Sequence, residues 1–213
     1  MYDRGKELRK ENRRGRIALF LLLAVFFFTT DYGTLESPLE YTLSNIGNLF
    51  SDDYWVYFIF WGIITGYGMN KYIKYLYKRV RLMDKKTHRY RRLAVLFLEL
   101  TVLVPAQKDN YPVLFIIHVI CSFLSPVFFA LSLYKLVQFL YPGIPNTAKK
   151  REEISKVWIT FLVSLAIPPF IMITMGPNGL VEMMFVFTTG FYMLYLNIKI
   201  KKREAMLDLS NVL

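Results

Sequence analysis

With 213 residues, 54% hydrophobic and 17% aromatic content and a mean hydropathy of +0.32, the chain is too apolar and too segmented for an ordinary water-soluble domain, and it reads as one membrane domain. Its formal charge of +11 does not describe a nucleic-acid binder, because 26 of its 27 Lys and Arg residues fall in four clusters that cap long apolar runs instead of covering a face of a soluble fold. The single cysteine, Cys121, lies inside an apolar run, which excludes an intramolecular disulfide and a cysteine-rich metal site.

The basic clusters alternate with pairs of apolar runs. Because Lys and Arg in short loops set orientation, this predicts an all-α fold: a six-transmembrane-helix bundle with N- and C-termini cytoplasmic. The outer loops then hold Lys108 against Asp31, Glu36, Glu40, Asp52, Asp53 and Asp109. The cytoplasmic face would lie against anionic headgroups of membrane lipids, each nearby Lys or Arg contributing about 1 kcal/mol. The chain divides into a basic arm (1–16), a membrane domain (17–198) and a basic tail (199–213).

The N-terminus resembles a signal peptide, but no small-x-small cleavage site follows, so the first apolar run reads as an uncleaved helix over about 17–32. Its apolar stretch 17–30 reaches about 21 Å, short of a hydrocarbon core of roughly 30 Å. Either Arg16 snorkels or the helix continues past Asp31.

Ser37-Pro38-Leu39-Glu40 places a capping serine, a first-turn proline and a glutamate in the pattern of a capping box. Leu39, Leu43, Ile46 and Phe50 then form a one-sided apolar stripe, with Asn45 and Asn48 toward the polar side. The spacing predicts a short amphipathic helix over about 38–50 at the outer interface, serving either as a plug over the bundle or as a lid over a pocket.

Asp52 or Asp53 is expected to cap the second spanning helix, about 54–77. A basic loop over 78–92 leads to the third, about 93–107, and a tight turn at Lys108-Asp109-Asn110 leads to the fourth, 111–140. The fifth covers 157–175 and the sixth 180–198, joined by Gly176-Pro177-Asn178-Gly179. Pro126 and the pair Pro168-Pro169 should kink the fourth and fifth helices and open room between them.

Two ionisable groups stand inside apolar runs, Glu99 on the third helix and His118 on the fourth, and such groups are functional candidates by default. In an antiparallel hairpin both lie roughly 14 Å from the turn, close enough to pair, and a shared hydrogen bond would offset the desolvation of each. The pair reads as a polar clasp between helices, as a proton relay or ligand anchor, or as part of a catalytic or metal centre. Glu182 sits a few residues past a turn and is a further ligand candidate that can also snorkel to the surface. His118, Cys121 and Ser122 share a helix face, which permits a weak catalytic arrangement of Glu99, His118 and Ser122. With His88 on the opposite side of the membrane no three-histidine site can form, and the sequence implies neither a metal nor a cofactor.

The stretch Tyr41-Thr42-Leu43-Ser44-Asn45-Ile46-Gly47-Asn48, then Phe58-Ile59-Phe60-Trp61-Gly62, and Val104-Pro105 through Asp109 with His118 downstream resemble a family of bacterial and archaeal six-helix membrane proteins. That family is domain-of-unknown-function family nine-nine-eight, and the eukaryotic DRAM-like six-helix proteins are more distantly similar. Ser44 and Gly47 occupy the place of its Ser-x-x-Gly stretch. Val104-Pro105 stands where the family has Phe-Pro, and the aspartate of that turn is displaced. The likeness covers roughly 17–135. It implies a prokaryotic six-helix protein with a polar cluster of Ser44, Asp109 and His118 toward the outer side, and it implies no activity.

The leading expectation is a non-enzymatic, multi-pass protein of the plasma membrane. It would bind a lipid or other amphiphile in an outward-facing intramembrane pocket through Glu99, His118, Ser44, Asn45, Asp109 and Glu182. An intramembrane hydrolase acting on a lipid or acyl substrate and a small proton-coupled transporter are the alternatives. Aromatic-rich helix faces suit lipid contact and self-association alike, which leaves a homo-oligomer open.

Overall fold

The computed structural model describes residues 4–142 and 147–210, so the ends of the expected arm and tail, 1–3 and 211–213, lie outside the described residues. Among these residues there are seven α-helices and no strand: α1 (Arg4–Gly33), α2 (Leu43–Leu49), α3 (Asp52–Arg79), α4 (Lys85–Leu103), α5 (Pro112–Leu140), α6 (Ala148–Met175) and α7 (Gly179–Ser210). The all-α class and the order of one short and six long helices agree with the sequence reading. The boundaries differ at the charged segments. Helices α4, α6 and α7 extend into basic segments expected to be loop or tail, because Lys and Arg are good helix formers and the hydrogen-bond ladder does not stop where the apolar run does, and α1 takes in the basic arm from Arg4. Helix α1 also continues past Asp31, to Gly33.

The caps explain the starts. Asp84 Oδ2 accepts from the Thr87 amide at 2.8 Å and from its hydroxyl at 2.6 Å, so α4 begins at Lys85 and the connection from α3 shrinks to a few residues, with Arg81 at a φ of 59°. Ser51, and neither Asp52 nor Asp53, caps α3: its Oγ accepts from the Tyr54 amide at 3.2 Å. Both aspartates then stand in the first turn, where the helix dipole favours them.

The capping box expected at Ser37 does not form. Residues 37–41 make a turn, with the Glu40 and Tyr41 amides both donating to Ser37 O at 3.1 Å. Its carbonyls serve another helix: Gly179 N donates to Tyr41 O at 2.8 Å and Leu180 N to Pro38 O at 3.0 Å, satisfying two orphan amides of α7. Helix α2 starts later, where Thr42 Oγ1 accepts from Asn45 N at 3.1 Å.

Helix α3 is central, with α1 and α4 along its two sides, α7 touching it and α2 across one end. Its Phe58, Met69, Tyr72, Ile73, Leu76 and Tyr77 are fully buried. A Cβ at Gly68 would lie 2.5 Å from Val25 Cγ2, so glycine is what lets α1 and α3 approach there. Outside this core, Val56, Phe60, Ile63 and Tyr67 form an exposed stripe along α3. Helix α5 packs along α4 and meets α6 far less, with the Tyr134 ring 5.5 Å from Trp158 and 6.5 Å from Phe161. Both helices run unbroken through Pro126 and Pro168-Pro169.

The basic segments gather at one end of the bundle. There Arg79 on α3 donates from Nε to the Glu204 carboxylate at 2.9 and 3.1 Å and from Nη1 to Tyr75 and Asn197 at 3.0 Å, with Glu11 of α1 at 3.7 Å. This fork ties α1, α3 and α7 together. Arg203 adds α5 by donating to Leu140 O at 2.6 Å. The loops and helix ends at the other end carry Lys108 among Asp31, Glu36, Glu40, Asp52, Asp53 and Asp109, and it is called the acidic end below.

Among the described residues four helices, α1, α5, α6 and α7, are long and apolar enough to cross a membrane. Only 22% of the most apolar window of α5 and 17% of that of α6 is buried within the protein. Large apolar side chains such as Phe20, 70% exposed, and Ile173, 82% exposed, therefore need an apolar surrounding that water does not provide.

Candidate functional site

The acidic end contains a cleft built from α2, the first turn of α3 and the segment between α4 and α5. Helix α2 is docked into the bundle, not laid along an interface: Leu43 and Ile46 are fully buried, while Leu39 and Phe50, expected on the same stripe, are exposed. Gly47 makes the close approach possible, since a Cβ there would stand 2.7 Å from Phe58 Cβ and 2.9 Å from the Tyr32 hydroxyl. Asn48 then binds in three directions. Its Nδ2 donates to Ser44 O at 2.6 Å, its Oδ1 accepts from Ala106 N at 3.2 Å, and its carbonyl accepts from Gln107 Nε2 at 3.1 Å.

The far end of that connecting segment is held by His118, which is buried on α5 and has Nδ1 3.0 Å from Val104 O. A carbonyl only accepts, so Nδ1 carries the proton and, in the neutral ring, Nε2 remains an acceptor. Helix α4 ends at Leu103, which leaves the carbonyls of its last turn without helical partners and gives the imidazole something to bind. His118 and Asn48 thus pin residues 104–107 from opposite sides. Between this segment and the start of α3 lies a cleft of about 440 Å³, lined among others by Asn48, Asp52, Trp55, Pro105, Gln107 and Tyr111.

Among the described residues the Asp52 carboxylate has no hydrogen bond or ion pair, and it stands one helical turn from Trp55. Trp55 and Tyr111 line the same cleft, and aromatic rings near an unneutralised carboxylate suit a compact cation such as an ammonium, while the amides of Asn48 and Gln107 are engaged in holding the wall.

Glu182 is drawn inward instead of snorkelling. Its Oε2 accepts from Leu43 N at 2.7 Å, and Tyr32 donates to Leu43 O at 2.7 Å, so α1, α2 and α7 converge on one residue of the short helix. Asn178 Oδ1 caps α7 beside it, accepting from Val181 N at 3.1 Å.

The expected Glu99–His118 pair is not formed. Glu99 is half-buried and has no hydrogen bond or ion pair among the described residues; it stands between Leu96 and Leu103 on the outward stripe of α4, while His118 turns inward to Val104. Equal distance from a turn fixes depth along two helices but not the side toward which each residue points.

Ser122 donates back to Val119 O at 2.8 Å and Cys121 is buried, so no nucleophile is bonded to the imidazole. Ser125 makes the bond between helices here, to Ala94 O at 3.0 Å. Asp109 is exposed in its turn without a partner among the described residues, so it does not join Ser44 and His118. Those two are connected, through Asn48 and residues 104–107, and Ser44 Oγ also pairs with Thr42 Oγ1 at 3.0 Å. Asn45 contributes its backbone amide to the Thr42 cap. No group of three His, Cys, Asp or Glu side chains with metal-ligand potential occurs among the described residues.

Comparison with protein-family models, curated proteins and solved structures finds no match for this chain. Sequence reading overlooked Asp52, Trp55, Gln107 and Tyr111 as site residues. Asp52 and Trp55 carried a usable signal, their i, i+3 spacing behind a serine cap; Gln107 and Tyr111 join them only because α4 ends early.

Proposed function

We propose that this chain is a membrane protein that crosses the bilayer six times with its basic end cytoplasmic, and that it binds the polar head of an amphiphile in the outward-facing cleft without transforming it. The observation that carries the binding is the juxtaposition of Asp52, Trp55 and Tyr111 with the amides of Asn48 and Gln107 in one cleft of about 440 Å³. That chemistry fits a cationic or zwitterionic headgroup, choline or ethanolamine in type. His118 and Glu182 act as positioning residues, one holding the 104–107 wall and the other holding α2. The six-crossing reading is supported by the Lys and Arg residues of 71–92, which four crossings would place outside, and by the 28 residues of α3, about 42 Å of helix, lying beside helices apolar enough to span.

The test is native mass spectrometry of the full chain in mild detergent with added phosphatidylcholine. Trp55→Ala and Asp52→Asn should each lower affinity about five- to tenfold, the equivalent of about 1 kcal/mol for a cation held at an aromatic face. Unchanged phosphatidylcholine affinity in both variants overturns the reading.

A further inference from the structure

At the opposite end, the first two turns of α4 carry Lys85, Lys86, Arg89, Arg91 and Arg92, with Asp84 as the neighbouring acid. Asp84 is committed to Thr87 as the helix cap. Lys85, Arg89 and Arg92 are exposed along one helix face, and among the described residues none of the three makes an ion pair or a side-chain hydrogen bond. Together with His88 they line a recess of about 540 Å³. The ring of His88 is held against Tyr77, centroids 5.3 Å apart, with Nε2 3.2 Å from Leu82 O, so the wall it forms is fixed to α3.

A second observation points the same way. Arg91 is 6% exposed, its Nη1 donates to Asn70 Oδ1, and its Nε is buried with no partner among the described residues; no carboxylate stands against it. A cation buried without a counter-ion beside three unpaired surface cations makes this a locally unneutralised positive site. On the same face, Leu96 follows Arg92 by one turn and is 47% exposed, so positive charge passes directly into apolar surface.

We infer that this recess binds the phosphate of an anionic membrane lipid, with the headgroup held by Lys85, Arg89 and Arg92 and the acyl chain lying along Leu96. Arginine supplies paired donors that match phosphate oxygens, and lysine adds a point charge. The apolar continuation favours a lipid over a free phosphate ion, which would gain nothing from Leu96. The inference rests on the six-crossing reading, which puts this end at the membrane surface, and it is independent of the cleft at the acidic end.

The experiment measures phosphatidylglycerol, phosphatidylcholine and inorganic phosphate binding to the full chain in mild detergent by native mass spectrometry. It compares wild type with Arg89→Gln/Arg92→Gln and with Lys74→Gln/Lys201→Gln, which removes the same charge from exposed positions elsewhere at the basic end. The arginine pair should lower phosphatidylglycerol affinity about thirtyfold, at about 1 kcal/mol per residue, and leave phosphatidylcholine unchanged, while the lysine pair changes phosphatidylglycerol by less than about threefold. Trp55→Ala should do the reverse, weakening phosphatidylcholine alone, so the two sites fail separately. Thermal unfolding of each variant near the wild-type temperature shows that the fold is kept. Equal phosphatidylglycerol loss in the two double variants means a diffuse field and overturns the site. Inorganic phosphate binding as tightly as phosphatidylglycerol overturns the lipid assignment.

Discussion

Glu182 accepts the backbone amide of Leu43 at 2.7 Å, so a carboxylate in the first turn of α7 holds the first residue of α2. Leu43 is fully buried and its amide opens a helix, where no backbone partner exists for it. Glu182→Leu therefore leaves a buried donor unpaired and should cost about 1–3 kcal/mol. Glu182→Gln keeps an acceptor in place and should cost about 1 kcal/mol or less. Thermal unfolding in detergent separates the two. Because α2 also carries Asn48, the leucine variant should lose affinity at the cleft as well, and equal stability of both variants would mean that the bond contributes nothing.

His118 and Glu99 make opposite forecasts, although both are ionisable groups in apolar helices. His118→Phe preserves ring volume but removes the donor to Val104 O. It should lower stability by about 1–2 kcal/mol and weaken cleft binding, because the wall of residues 104–107 loses one of its two anchors. Glu99→Gln removes no contact and should stay within about 0.5 kcal/mol of wild type with unchanged binding. A Glu99→Gln protein that loses binding while His118→Phe keeps it would restore the reading that the geometry displaces.

How far the sequence could be read follows from what periodicity and charge encode. Apolar runs and basic clusters located six long helices and the two unlike ends of the bundle, because both signals are properties of neighbouring residues. Helix ends were less legible: Ser37, with proline and glutamate behind it, has the form of a cap, yet its turn serves α7 more than a hundred residues away. The same limit hid the site. Asn48, Gln107 and Tyr111 are unremarkable in their own segments and become part of a cleft only when Gly47 lets α2 press against α3. Ser44 and His118 were singled out and do share one network, but the bonds between them run through backbone groups that no side-chain motif announces.

Asp84 gives the fold a defined acid dependence. Its carboxylate is held below the usual range, first by the Thr87 hydroxyl and then by the Thr87 amide, both of which bond the charged form. A carboxyl whose folded value lies below its unfolded one stabilises fully above the ordinary carboxylate range, and that contribution disappears as pH falls through the folded value. Asp84→Ala should thus melt below wild type from about pH 5 to pH 8, and the gap should close as pH drops below about 4. A gap that widens in acid would show that Asp84 acts otherwise than as a charged cap.

Crossing number is decided by the two helices that composition leaves ambiguous, α3 and α4. If both cross, Lys86 at the start of α4 and Lys108 after its end lie on opposite sides of the bilayer; if neither crosses, both lie on the side reached by α1. Cys121 is the sole cysteine and is buried, so Cys121→Ala gives a background in which an introduced thiol reports its own position. Lys86 and Lys108 are both exposed, and neither side chain makes a hydrogen bond or salt bridge among the described residues. In intact cells a membrane-impermeant maleimide should label Lys108→Cys at once and Lys86→Cys only after permeabilisation. Labelling of both from outside would favour four crossings. It would also move the recess of Lys85, Arg89 and Arg92 to the outer surface, where the excess of basic residues opposes the rule that retains Lys and Arg loops in the cytoplasm. That opposition is the physical ground for expecting the six-crossing result: a four-crossing chain would export the lysines and arginines of residues 71–92 while keeping the other three clusters inside.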